Sequence, residues 1–314
     1  RLLAPILAGV GNATHIVVVP DGALTFLPFE TLPLEGRPLI ARADVSYAQS
    51  GSLYALMLAR QAAYRNLPDR RDLLTMGAAV YKEEAEAPAV ARAARLAAAG
   101  QAQPVLGSTP DSVQRGLRAL DLRWANLPGT EREVDSVAAL FSGAAKYKGR
   151  DASEATLQRL DRDGSLAKFR FIHFAAHGYL SLDEPALSAL VLNQVGNASG
   201  SDGYVTAAEW PTYRLRSDLV VLSACETGRG ALVAGDGVLG LPYAFYAAGN
   251  TSTVMTLWPV FDETTAIFMQ HFFTRLRNGE SAVHALSAVK REFLATKAIP
   301  AQPAFWAPYV LYGI

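Results

Sequence analysis

The chain has 314 residues, half of them apolar and 18% charged, enough to bury a large core or two adjoining ones. Its 29 basic residues balance 29 acidic ones, which excludes the broad basic footprint of a protein that coats nucleic acid or a membrane surface. One cysteine, Cys225, excludes an intrachain disulfide and agrees with a reducing compartment such as the cytoplasm; no apolar run reaches the roughly 18 residues of a spanning helix.

The chain opens at Arg1 without a Met, into Leu2-Leu3-Ala4-Pro5-Ile6-Leu7, which reads as the tail of a helix. No secretory leader is visible, and the expectation is a piece of a longer protein whose N-terminal region is missing. His15–Val19 is a short β-branched run bounded by polar residues, the pattern of a buried strand. Leu73–Met76 is a weaker strand candidate. Residues 82–103 are rich in Ala and Glu without strand signal and leave two readings, a surface helix or a mobile insert. A loop follows at Gly107–Pro110, and a boundary near residue 125 divides the chain into 1–125 and 126–314. Thr130-Glu131-Arg132-Glu133 has the form of a capping box before the helical stripe Val134, Val137, Leu140 and Phe141. Phe171–Ala175 and Leu219–Ser223 are the clearest buried strands, with Ala189–Leu192 weaker between them. A helix is expected over Leu239–Ala248, a strand over Thr253–Leu257, helices over Ala266–Leu276 and Ala282–Leu294, and a last strand over Tyr309–Tyr312. Strands alternating with helices give an α/β fold, a mostly parallel sheet sandwiched by helices.

The candidate chemistry lies just past the two clearest strands. The first delivers His177-Gly178, the second Cys225-Glu226-Thr227-Gly228. In an open parallel sheet, crevices form beyond the carboxyl ends of strands, so neighbouring strands would bring His177 and Cys225 face to face. A free thiol is mostly protonated at neutral pH, and an adjacent imidazole can take its proton during attack and return it to the leaving amine. The backbone N–H groups of Gly178 and Cys225 are the candidates for an oxyanion hole. His177 precedes Cys225 by 48 residues, close to the roughly 50 of the caspase pattern.

These residues carry a resemblance. Stretches 17–32 (VVVPDGALTFLPFETL), 127–134 (LPGTEREV), 171–178 (FIHFAAHG), 187–193 (LSALVLN) and 219–228 (LVVLSACETG) resemble the CHAT domain. So do 237–249 (GVLGLPYAFYAAG), 251–263 (TSTVMTLWPVFDE) and 305–313 (FWAPYVLYG). CHAT domains are a bacterial, caspase-like cysteine peptidase family distantly related to separase. The resemblance implies a caspase-like fold with a degenerate, pseudo-protease half (1–125) beside a catalytic half (126–314), and a dyad of Cys225 and His177. It further implies a protein substrate, in some cases one dedicated partner, a regulatory N-terminal region such as tetratricopeptide repeats, and a role in stress or defence signalling. No metal or organic cofactor is required by this chemistry. In separase a Leu-Trp-x-Val-x-Asp pattern supplies an acid that accepts arginine at P1; here Leu257-Trp258-Pro259-Val260-Phe261-Asp262 matches it in part, which implies a basic P1 residue read by Asp262.

Several residues keep plainer alternatives. Asp262 and Glu263 also suit the N-terminus of the helix that follows, where carboxylates are favoured. Glu226 and Asp236 border the expected groove and are candidate substrate contacts, or solvated loop charges. His173, inside its strand, reads as a packed, hydrogen-bonded support for the site. His15, His271 and His284 lack partners at metal-ligand spacing. Gly235-Asp236-Gly237-Val238-Leu239-Gly240 spells G-x-G-x-x-G, but it begins about a dozen residues after its strand, whereas a dinucleotide fingerprint follows the strand directly. A dinucleotide-binding enzyme is therefore a remote alternative, and a non-catalytic scaffold on the same fold a nearer one.

Overall fold

A computed structural model of the chain describes residues 12–82, 122–179, 181, 184–198, 200–223, 237–258, 260, 262–296 and 301–314. In chain order the elements begin with β1 (His15–Val18), a small hairpin of β2 (Pro33–Leu34) and β3 (Arg37–Pro38), and β4 (Asp44–Tyr47). Then come α1 (Gly51–Tyr64), β5 (Arg71–Ala79), α2 (Gly129–Ala139), β6 (Ala145–Gly149), α3 (Glu154–Arg162), β7 (Phe169–Ala175) and β8 (His177–Tyr179). The chain continues through β9 (Ala189–Val191), β10 (Tyr204–Thr206), β11 (Leu219–Leu222), α4 (Gly237–Ala248) and β12 (Ser252–Thr256). It finishes with α5 (Asp262–Arg277), α6 (Ala282–Ala295), the one-turn α7 (Pro303–Trp306) and β13 (Tyr309–Gly313). Every strand read from the sequence is present within a few residues of its expected bounds. The opening segment 1–11 and nearly all of the Ala-rich stretch lie outside the described residues.

Eight strands form one sheet in the order β1-β4-β13-β12-β11-β7-β5-β6, parallel throughout except where β12 meets β13. Side chains alternate between two layers because successive residues of a strand face opposite sides. Leu74, Met76, Ile172, Phe174, Val220 and Leu222 pack with α3 and α4. Leu73, Phe171, Leu219, Val221 and Val254 pack with α2, α5 and α6. Both faces are covered, so the central strands are mostly apolar, with buried polar exceptions such as Thr75 and His173. The mostly parallel α/β sheet between helices is as expected. A second sheet, β10-β9-β8, is antiparallel.

Two local features steer the chain toward the site. Gly77 sits where β5 crosses β7 and α2: a Cβ there would lie 2.6 Å from Val134 Cγ2 and 2.8 Å from the Ala175 carbonyl oxygen. Just beyond, the β5–β6 register shifts between Gly77 and Ala79, and Ala78 takes a left-handed φ of 50°. This bulge re-aims the chain toward Tyr81.

The capping box is a correction. Helix α2 starts earlier, at Gly129, with Pro128 before it. Thr130 lies within the helix; its hydroxyl donates to the Leu127 carbonyl at 2.6 Å and accepts the Ala78 N–H at 3.1 Å. Glu133 turns away from the helix end to meet His173.

Candidate active site

β7 and β11 are neighbours, parallel and in register, with Phe171 opposite Leu219 and Phe174 opposite Leu222. The next N–H, that of Ser223, continues the ladder to the Phe174 carbonyl at 3.2 Å. Both strands therefore end level, and the chain leaves each at the same edge of the sheet. β12 runs parallel to β11, so the connection that leads to Asp262, the first residue of α5, leaves from that edge too. Cys225, Glu226 and Asp236 lie outside the described residues, as does the side chain of Asp262.

His177 is fully buried, and its position is set on three sides. Its backbone N–H donates to the Tyr81 hydroxyl at 3.1 Å, and that hydroxyl donates onward to the Val191 carbonyl at 3.0 Å. The Tyr81 hydroxyl thus bridges His177 and Val191, which face each other across β8 and β9. By strand alternation the neighbouring Gly178 N–H points away from β9. The imidazole lies between the rings of Tyr81 and Trp124, with centroids 4.6 and 4.9 Å away. Trp124 is itself held by its indole N–H, which donates to Tyr204 Oη at 2.9 Å.

The tautomer follows from the last contact. His177 Nε2 is 2.7 Å from the Ala125 carbonyl oxygen. A carbonyl has no proton to give, so Nε2 carries one and donates it. In the neutral ring Nδ1 then holds the lone pair and is the basic nitrogen. Tyr81, Trp124 and Ala125 are the site residues that sequence reasoning missed. No spacing rule links positions 81, 124 and 177; the bulge at Ala78 and the contacts of Asn126 with Tyr81 and Lys82 bring them together.

Beneath the edge lies a buried polar cluster. His173 is fully buried, with Nδ1 2.9 Å from Thr75 Oγ1 and Nε2 2.8 Å from Glu133 Oε1. Nε2 also lies 3.3 Å from Ser223 Oγ, two residues before Cys225. The Phe273 ring stands edge-on to it. His173 is the packed, hydrogen-bonded histidine read from the sequence, and its carboxylate partner comes from a helix that the sequence reading did not connect to it.

The remaining histidines have local roles. His15 meets Ser46 Oγ at 2.9 Å, His271 meets Glu292 at 2.9 Å and His284 meets Asp44 at 2.9 Å. In the glycine-rich run, residues from Gly237 onward form α4, and a Cβ at Gly240 would come within 3.0 Å of the Pro185 carbonyl oxygen. That glycine serves close packing of helix on loop. Among the described residues no helix is long and apolar enough to cross a membrane.

Comparison with known proteins adds the following. The sequence model of the family described as CHAT domain matches residues 1–314. Tetratricopeptide repeat protein 28 of Mus musculus is 29% identical over 225 residues, covering 60% of this chain and 9% of that protein. Its Homo sapiens counterpart is 26% identical over 220 residues, covering 60% of this chain and 8% of that protein. The chain thus spans less than a tenth of these relatives. The crystal structure of the Arg-specific cysteine proteinase gingipain R aligns over 87% of this chain and 54% of that one, at 8% identity and a TM-score of 0.44.

Proposed function

The chain belongs to the CHAT domain family, and on that premise we propose that it is a caspase-like cysteine endopeptidase with Cys225 as nucleophile and His177 as general base. The observation that carries the reading is the level, parallel ending of β7 and β11, which sends the segments bearing these two residues out of the same sheet edge. His177 Nδ1 would take the thiol proton as Cys225 attacks the scissile carbonyl, and give it to the leaving amine as the acyl-enzyme forms. Water then releases the acyl group with the same imidazole as base. The Gly178 and Cys225 N–H groups would hold the oxyanion. Asp262, at the head of α5, would read a basic P1 side chain from the same edge, and Glu226 and Asp236 would contribute substrate contacts. Regulation by an N-terminal repeat region fits the tetratricopeptide relatives, and the proposed substrate is a protein met in the cytoplasm.

The same relatives favour a second reading, a non-catalytic scaffold on this fold. Cleavage of a diverse peptide library by wild type and by Cys225→Ala, with new termini mapped, separates the two. Cleavage by wild type alone supports the endopeptidase, and Asp262→Ala should then lower cleavage after Arg far more than after Leu. Equal cleavage by Cys225→Ala would sink the assignment of the nucleophile. Silence of the wild type in its full-length protein, with Cys225 inert to an electrophilic probe, would favour the scaffold.

A further inference from the structure

The Ala125 carbonyl that fixes the tautomer of His177 belongs to an exposed residue with only a methyl side chain. Among the described residues no side-chain contact of Ala125 itself holds that carbonyl, and its neighbours supply the hold. On one side Trp124 is pinned through its indole N–H to Tyr204. On the other, Asn126 stands against the segment that leaves β5. Its Oδ1 accepts the N–H of Tyr81 at 2.9 Å and of Lys82 at 3.3 Å. Its Nδ2 donates to the Lys82 carbonyl at 3.2 Å. One side-chain amide therefore satisfies three backbone groups of the opposite segment. That requires a donor and an acceptor on one short planar group, which asparagine has and aspartate has only in part.

We propose that Asn126 is a positioning residue for the base. By clasping Tyr81 and Lys82 it locks the Ala125 carbonyl 2.7 Å from His177 Nε2 and so selects the tautomer with a bare, basic Nδ1. The same clasp fixes Tyr81, whose hydroxyl receives the His177 N–H and whose ring packs on the imidazole. Without it the carbonyl moves, the Nδ1–H tautomer becomes populated, and in that form Nδ1 cannot accept a proton. The hydrogen bonds of the Asn126 side chain go to the backbone of Tyr81 and Lys82 and not to the imidazole. Asn126 acts through the backbone of its neighbour.

The test reads the tautomer directly, and its kinetic arm alone rests on the endopeptidase reading. Imidazole 15N spectra of the full chain would be recorded above the histidine titration range for wild type, Asn126→Ala and Asn126→Asp, with His177 assigned by comparison with His177→Gln. Wild type should show a protonated Nε2 and a bare Nδ1. Asn126→Ala should show the averaged shifts of two tautomers. Asn126→Asp keeps the acceptor and loses the donor to Lys82, and should fall between. Peptide cleavage by Asn126→Ala should drop by roughly ten- to a hundredfold in kcat with KM little changed. If Asn126→Ala does not melt as a folded protein, Asn126→Asp decides. Identical His177 shifts in wild type and variants, or an Nδ1–H wild type, would overturn the proposal whatever the activity. A tautomer that responds in a chain whose full-length protein cleaves nothing and whose Cys225 is inert to an electrophilic probe would overturn the endopeptidase reading and leave the clasp standing.

Discussion

Lys290 and Glu30 show how much can hang on one pair of side chains. Each side chain is 1% exposed, and they meet at 2.5 Å across 260 positions of sequence. Glu30 also accepts the Tyr47 hydroxyl, and that hydroxyl in turn accepts the Phe29 N–H at 2.8 Å. Burial lowers the pKa of Lys290 and, with the Glu30 charge, pushes Tyr47 well above the ordinary phenol range. Taking charge out of water is costly, and removing one partner leaves the other charge buried alone. Lys290→Met should therefore cost about 3–5 kcal/mol of stability. Adding Glu30→Gln should recover a large part of that loss in urea denaturation, because no lone charge then remains. A double variant no more stable than Lys290→Met would show that the pair matters for something other than its charges. Beneath the site the Glu133 side chain and the His173 ring satisfy each other by a hydrogen bond at 2.8 Å.

At the level of elements, α3 is tied at its head to the loop before β10. Ser153 caps the helix by accepting the Thr156 N–H at 3.2 Å. Glu154 Oε2 accepts the N–H groups of Asp202 and Gly203 at 3.0 and 3.1 Å, and Oε1 accepts from Gln158 at 2.8 Å. Burial nevertheless dominates and raises the Glu154 pKa to about 7, with Asp202 and Glu209 adding to the rise. A carboxyl whose folded pKa lies above its unfolded one binds its proton more tightly in the fold. Its ionisation then costs nothing below the ordinary glutamate range, and the cost grows as pH climbs from there to about 7. Above that it is constant. Glu154→Gln should consequently gain on wild type with rising pH, reaching about 3 kcal/mol near pH 8, and show little difference at pH 4. Melting curves across that range measure it, and a gap that does not widen with pH would count against the burial argument.

The whole molecule is interleaved. β5 lies between β7 and β6, and β13 lies between β4 and β12, so strands from both sides of residue 125 alternate in one hydrogen-bonded sheet. A division near that residue, proposed from the sequence, would cut through this sheet. A fragment of 126–314 alone would expose the edges of β7 and β6 where β5 had paired, and should not melt cooperatively. Supplying 1–125 in trans should restore a cooperative transition. A fragment that folded by itself would mean that β5 can be spared or replaced. Interleaving also explains the reach of the clasp: Tyr81 and Lys82 follow β5, Asn126 precedes α2, and His177 follows β7.

The sequence by itself determined the central strands and the edge at which they end. Phe171–Ala175 and Leu219–Leu222 are buried, and cover on both faces writes a run that is apolar but for His173 and needs no partner to be read. It left β4 and β6 unread. β6 is an edge strand whose Lys146 and Lys148 pair with Asp135 and Glu131 of α2, so it carries the charges of a solvated segment. It also misassigned Glu133, because a capping box is a local pattern and the true partner, His173, is 40 residues away. His177 was legible as a histidine delivered by a strand. Its tautomer was decided only by the tertiary structure, since the Ala125 carbonyl that sets it is a backbone group. Every residue has such a group, and only the folded path of the chain gives this one a direction.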